Sequence, residues 1–350
     1  MAEPDAMTGQ TVRYPRPLRP GDTIGVTAPS SGVADELRPR LDFCVDHLRR
    51  QGFEVTVGRC MSGDGITSAP AADRAAELAA MLTDPDIRAV VPPWGGELAI
   101  DVLPLLDFEA LAAAEPTWYV GYSDTTTTML PLTLRTGVAT LHAPNLMDTP
   151  FQVPAPLHHW LEVARAAPGA TVSQGAATRY QKSWPDFARF PDVREMALSE
   201  PAGWKLLGDG TAVSATGRLL GGCLETLAML PGTPFGDVPG FAREHAPEGL
   251  LFYVEVAEAD APTAARMLHH LRLAGWLDTA NAVLVGRPAG PDGSGFSQLD
   301  ALRHALGDLG VPVVHDVDIG HVPPQLALVN GALATVEVSG STATLTQRLV

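Results

Sequence analysis

Residues 117–132 read TWYVGYSDTTTTMLPL. An apolar, strand-like run meets Gly-Tyr-Ser-Asp, and a threonine-rich segment that can open a helix follows. The same alternation extends upstream. DTIGVTAPSS (22–31) is a short β-rich run, and ADELRPRLDFCVDHLRRQG (34–52) carries apolar residues at helical spacing. FEVTVG (53–58) reads as a second strand, DRAAELAAMLTDP (73–85) as a second helix and IRAVVPPW (87–94) as a third strand. The run ending at Ser123 is then the fourth. Short apolar strands alternating with helices predict a parallel sheet covered on both faces, here a doubly wound, flavodoxin-like α/β unit. Its functional groups should lie at the carboxyl ends of the strands.

From about 150 to 205 the pattern gives way to a stretch rich in Pro, Ser and aromatic residues, including SWPDFARF (183–190). Strands and helices then alternate again through LLFYVEVAEAD (250–260), ANAVLVGRPAG (280–290) and VPVVHDVDIGH (311–321), so the second domain is also α/β. The expected division is a loose leader (1–15), an N-terminal α/β domain (16–155) and a linker with a substrate-side loop (156–205). A C-terminal α/β domain (206–350) completes it. A chain of 350 residues fits two domains of about 150 residues or more, each able to bury its own core.

With 40 acidic and 24 basic residues the formal net charge is −16, which argues against nucleic acid or an anionic membrane as partner. Cys44, Cys60 and Cys223 are too few and too far apart for a disulfide framework or a zinc cluster, and a reducing, cytoplasmic setting is expected. The N-terminus lacks an apolar core of signal-peptide length. Neither a phosphate loop, a dinucleotide fingerprint nor a metal motif is present, so no cofactor and no metal is expected.

Ser123 sits as a nucleophile would at a sharp strand-to-helix turn, although Thr125 stands where the second glycine of G-x-S-x-G belongs. The alternative is a serine capping a helix in a tight turn. A nucleophilic serine needs a base, and the base an acid to orient it. His321 follows an apolar strand and Gly320 and precedes a Pro-Pro turn, with His315 its competitor. Glu255 falls inside an apolar strand, where a charge is costly without a partner, and Glu258 stands nearer the strand's end. Gly95-Gly96 follows the third strand and lets backbone N–H groups approach a ligand, as an oxyanion hole requires. Arg287, at a predicted strand's end, is a candidate for binding a substrate carboxylate.

Taken in order, LRPGDTIGVTAPSS (18–31), DPDIRAVVPPWGG (84–96), GYSD (121–124), ATLHAPN (139–145), GRLLGGCLETL (217–227), LFYVEVAEAD (251–260) and DIGH (318–321) resemble the serine LD-carboxypeptidases. That family, peptidase S66, comprises muramoyl-tetrapeptide carboxypeptidases and microcin C immunity peptidases. The resemblance implies a triad of Ser123, Glu255 and His321, an oxyanion hole from the backbone of Gly96 and Asp124, and a homodimer. Gly95, Trp184, Arg287 and His142 become substrate-binding candidates. WGGELA (94–99) departs from the Gly-Gly-Tyr-Gly stretch of peptidoglycan-recycling members, and the Trp184 loop looks more like the immunity branch, where it resembles a platform for a nucleotide or aromatic group. The expected function is hydrolysis of an amide near the C-terminus of a small peptide or peptidyl conjugate. The alternatives are an immunity-type amidase acting on peptidyl-nucleotides and a non-catalytic two-lobe binding protein.

Overall fold

A computed structural model describes residues 11–350. The first half builds five strands, β1 (Thr23–Val26), β2 (Glu54–Val57), β3 (Ile87–Val90), β4 (Trp118–Gly121) and β5 (Leu141–His142). Between them run α1 (Arg38–Arg50), α2 (Ala71–Thr83), α3 (Phe108–Ala113) and α4 (Thr126–Thr136). The strands pair in parallel in the order β2-β1-β3-β4-β5, the flavodoxin-like order expected from the sequence. Strands β3 and β4 are almost wholly buried, as apolar runs covered by helices on both faces must be. Ser31, Gly95 and Ser123 all follow the carboxyl ends of strands in this sheet.

The second half forms an eight-stranded mixed sheet. The segment 156–205 holds α5 (Trp160–Ala164), β6 (Thr171–Gly175), β7 (Arg179–Tyr180), β8 (Glu200–Pro201) and the start of β9 (Lys205–Leu206). Next come β10 (Ala212–Cys223), α6 (Leu224–Leu227), α7 (Val238–His245), β11 (Leu250–Glu255), α8 (Ala261–Leu273), β12 (Ala280–Gly286), α9 (Gln298–Leu306) and β13 (Val313–Val317). Strands β14 (Leu328–Val329), β15 (Leu333–Ser339) and β16 (Thr342–Arg348) end the chain. Strands β10 to β13 are parallel neighbours at the centre, flanked by antiparallel β15, β16 and β6 on one side and β9 on the other. The segment expected as linker and loop therefore supplies both edge strands of this sheet, β6 and β9.

The expected leader is another difference. Residues 1–10 lie outside the described residues, but 11–15 are docked. Val12 is buried against Gly331, Arg13 bridges to Val138, and the Tyr14 hydroxyl donates to the carbonyls of Gly331 and Val350 at 3.1 and 3.0 Å. Backbone bonding and apolar contact order this stretch despite its Pro-rich, charged sequence.

The two sheets share a seam. Strand β14 pairs antiparallel with β5, so the first sheet is completed by residues from near the end of the chain. Beside it, the buried Asn330 amide donates to Thr140 Oγ1 at 3.1 Å, while its Oδ1 accepts from the Gly221 N–H at 3.2 Å and the Tyr253 hydroxyl at 2.8 Å. Asn330→Ala orphans two buried donors at once and should lower the unfolding free energy by about 3 kcal/mol, read from the denaturant midpoint.

Candidate active site

Strand β4 ends at Gly121, Tyr122 is extended, and Ser123 opens a 3₁₀ turn (Ser123–Thr125) that leads into α4. Ser123 has φ of +62°, a left-handed conformation that a non-glycine residue adopts only when its surroundings force it. Those surroundings are polar and buried. The Asp124 carboxylate accepts from Ser30 Oγ at 2.5 Å, the Ala99 N–H at 2.8 Å and Thr127 Oγ1 at 2.8 Å, tying the turn to two neighbouring loops. Thr128 shares a 2.7 Å hydrogen bond with the Tyr119 hydroxyl, and Thr126 Oγ1 accepts from the Cys223 N–H at 3.5 Å. The threonine run thus fastens the elbow to its own strand and to the second sheet. Gly95 presses on the turn: a Cβ there would lie 2.7 Å from the Asp124 nitrogen and 2.8 Å from Ser123 Oγ.

Glu255 is the last residue of β11 and has no exposed surface. Its Oε2 lies 2.7 Å from His321 Nδ1, and His321 Nε2 lies 3.1 Å from Ser123 Oγ. An ionised carboxylate only accepts, so Nδ1 carries the proton and Nε2 of the neutral ring accepts from the serine. Burial drives the Glu255 carboxyl upward, but the imidazole beside it outweighs burial and the net shift is downward. Burial lowers His321 and the Glu255 charge raises it; the net direction is upward. Tyr122 packs its ring 4.9 Å from the imidazole and donates its hydroxyl to Asp148 at 3.1 Å. Burial pushes Asp148 up to about 6.

The loop that presents His321 is anchored from below. Asp318 is wholly buried and accepts from Arg287 Nη2 at 2.6 Å, Trp204 Nε1 at 2.7 Å and the Ala177 N–H at 2.9 Å. Arg287 also donates to the carbonyls of Asp316, Val322 and Pro324. At Gly320, φ is +85° and a Cβ would fall 2.3 Å from Glu255 Oε2, so only glycine lets the carboxylate reach the ring.

Other candidates fall differently. Arg287 borders the cleft, but its charge is neutralised by Asp318, so it holds the His321 loop rather than offering a free cation to a carboxylate. His142 has no exposed surface, is packed edge-on against Tyr122 and Tyr253, and is pushed by burial down to about 4; it cannot touch substrate. His315 pairs with Asp316 at 3.6 Å rather than with a serine. Trp184 borders the cleft, rests on Phe151 and Phe187, and donates Nε1 to the His321 carbonyl at 3.1 Å. Sequence reasoning passed over Glu225, whose Oε1 accepts the N–H groups of Ala257, Glu258 and Ala259 and fixes the turn after β11. Its only signal is position, in the first turn of α6 just beyond the Gly-Gly-Cys end of β10.

The cleft has two chambers. A larger one of about 1020 Å³ is bordered by Tyr180, Lys182, Trp184, Trp204 and Lys205. A smaller one of about 420 Å³ holds Gly96, Ser123, Asp124, Glu97, Met229 and Met267. His321, Ala257 and Glu258 border both.

Comparison with known proteins identifies the family and the fold. The LD-carboxypeptidase N-terminal domain matches residues 24–143 and the LD-carboxypeptidase C-terminal domain matches residues 216–336. A protein named as a carboxypeptidase in Streptomyces coelicolor is 32% identical over 95% of both chains. The microcin C7 self-immunity protein MccF of Escherichia coli is 25% identical over 95% of both. Among solved structures, MccF with adenosine monophosphate superposes with a TM-score of 0.78 at 22% identity, covering 96% of this chain and 99% of that one. The muramoyltetrapeptide carboxypeptidase of Oxalobacter formigenes gives 0.67 at 22% identity, covering 93% and 98%. With both of its domains matched in order, the chain belongs to the LD-carboxypeptidase family, peptidase S66.

Proposed function

We propose that this peptidase is a serine hydrolase working through Ser123, His321 and Glu255. The observation that carries the reading is the continuous relay of 3.1 and 2.7 Å from the Ser123 hydroxyl to a buried carboxylate. Ser123 Oγ attacks the scissile carbonyl carbon while His321 Nε2 takes its proton. Glu255 holds the Nδ1–H tautomer and steadies the imidazolium. The N–H groups of Gly96 and Asp124 receive the oxyanion, each contributing about 3 kcal/mol of transition-state stabilisation. The intermediate collapses to an acyl-Ser123 ester as the leaving nitrogen takes the proton from Nε2. Water then attacks the ester with His321 again as base, releasing the acid and the free serine.

The substrate is a small peptide or peptidyl conjugate. A peptidyl-nucleotide is favoured by one specific observation: the larger chamber combines Trp184 and Tyr180 with Lys182, groups that suit a base and an anion. MccF has been solved with glutamyl sulfamoyl guanosine and aspartyl sulfamoyl adenosine, and a murein peptide carboxypeptidase is named among the relatives in Bacillus subtilis. Free, buried Cys44, Cys60 and Cys223 fit a cytoplasmic setting. The family resemblance adds a homodimer, to be checked by light scattering, where the mass of one chain would remove it.

The deciding assay gives wild type and Ser123→Ala a murein tetrapeptide ending in D-Ala and a peptidyl-adenylate conjugate, read by mass spectrometry. Ser123→Ala should keep the melting transition and lose about 10⁵-fold in turnover; near-wild-type turnover removes the triad reading. Glu255→Gln should cost about 10⁴-fold in kcat, because the amide turns the imidazole to the wrong tautomer, whereas Glu258→Gln should not approach that loss.

The pH profile tests the same pair. A protonated His321 cannot accept the serine proton, and its pKa is raised, so kcat/KM should fall as pH drops through a midpoint above the ordinary histidine value of about 6.5. Glu255→Gln removes the charge that raises it and should move that limb to lower pH.

A further inference from the structure

Glu255 and Ser123 engage the two nitrogens of His321, and a third residue covers the face of its ring. The Tyr122 ring lies 4.9 Å from the imidazole at an angle of 59°, and its hydroxyl donates to Asp148 Oδ2 at 3.1 Å. Tyr122 immediately precedes the nucleophile, so the turn that aims Ser123 at one nitrogen also lays an aromatic face against the ring. Neither Tyr122 nor Asp148 borders either chamber of the cleft, and neither is placed to touch substrate.

The tyrosine is held at its backbone and at its tip. Its N–H donates to Asn145 Oδ1 at 3.3 Å and its carbonyl accepts from the Asn145 amide at 3.5 Å. Asn145 is buried and opens the 3₁₀ turn Leu146–Asp148, so one short segment after β5 fixes both ends of Tyr122. A phenylalanine would fill the same space; the hydroxyl adds a link to a carboxylate.

That carboxylate keeps its charge where it matters. Arg40 of α1 faces it but donates to the carbonyls of Met147, Pro191 and Val193, and Cys44 on the same helix is a thiol pushed by burial up to about 12. Burial lowers His321, while Glu255, then Glu225 and Asp148, raise it by more; neighbouring His142 is held neutral by burial down to about 4. Toward the cleft stand Glu97, Glu258 and Lys182, exposed and screened by water and salt. Burial brings Asp148 up to about 6, below the raised His321, so Asp148 is ionised when the imidazole gains its proton. The phenol stays protonated throughout, because burial and then Asp148 push it well above its ordinary value. An aromatic face within about 6 Å attracts the imidazolium, and a carboxylate behind that face attracts it further.

We propose that Tyr122 and Asp148 are positioning residues for the catalytic base: the Tyr122 ring is a shelf that fixes the His321 imidazole against Ser123, and Asp148, joined to it through the phenol hydroxyl, supports both the shelf and the positive charge His321 carries in the transition state. This rests on the hydrolase reading above.

Two near-isosteric substitutions separate hydroxyl from charge. Tyr122→Phe keeps the ring and loses its tie; kcat should fall about tenfold on the substrate that wild type turns over, with KM unchanged because the side chain lies outside the cleft. Asp148→Asn keeps an acceptor for the phenol and removes the charge, so His321 becomes easier to deprotonate and the acid limb of kcat/KM should move down by about 0.5 pH unit. The same shift should appear in the His321 pKa followed by NMR at the ring Cε1–H of Ser123→Ala protein, a readout that needs no turnover. Wild-type kcat in Tyr122→Phe, or a His321 pKa that Asp148→Asn leaves unmoved, overturns the proposal. A lowered melting transition with kcat and the pKa retained does so too, since it makes the pair structural only. A moved pKa in a protein whose turnover survives Ser123→Ala would remove the hydrolase reading and leave the support of the imidazole standing.

Discussion

A carboxylate sealed from water at the end of a central strand is the constraint around which this molecule is arranged. An ion taken out of water costs several kcal/mol unless another charge or a set of hydrogen bonds replaces the solvent. For Glu255 the replacement comes from one side chain, His321, 66 residues further along the chain. The imidazole must therefore be delivered with little freedom. Gly320 gives the loop room to pass the carboxylate, and the buried Arg287–Asp318 pair holds the loop's base. That pair is itself offset by Trp204, the Ala177 N–H and the carbonyls around it, so each charge below the cleft is satisfied by a neighbour that also shapes the cleft. Only after these conditions are met does the outer nitrogen of His321 face a hydroxyl.

The hydroxyl arrives from the other sheet under a constraint of its own. Ser123 is held in a left-handed backbone conformation by the Asp124 network and the threonines of α4. One of these threonines reaches across to β10. The relay is thus assembled at a seam, with one member from the first sheet and two from the second. Neither half holds all three side chains alone.

Much of this was legible in the sequence, and the reasons differ by element. Strands β1, β3 and β4 announce themselves because buried parallel strands are continuous apolar runs between helices, and the exposed edge strand β2 shows itself by alternating Val with polar residues. Glu255 is conspicuous as a charge in such a run, and His321 as a histidine between Gly320 and a Pro-Pro turn, though chemistry alone left Glu258 and His315 open until the resemblance chose between them. What stayed hidden depends on contacts between distant residues. Arg287 looked available because its partner, Asp318, lies 31 residues away. His142 stood as a substrate-binding candidate, and its burial comes from β4 on one side of the two-residue β5 and β14 on the other. Strands β6 and β9 lie in a stretch whose composition reads as loop, and only pairing with β16 and β13 makes them strands.

The position of β14 has a consequence for how the chain comes to be folded. Until residues 328–329 are available, the hydrogen-bonding groups along one side of β5 have no partner, although the rest of that sheet is complete by residue 142. A nascent chain emerging from the ribosome would therefore carry an open sheet edge through the synthesis of almost 200 further residues, a span over which an unpaired edge invites pairing with another chain. The brevity of β5, at two residues, keeps that edge too short to be a good template.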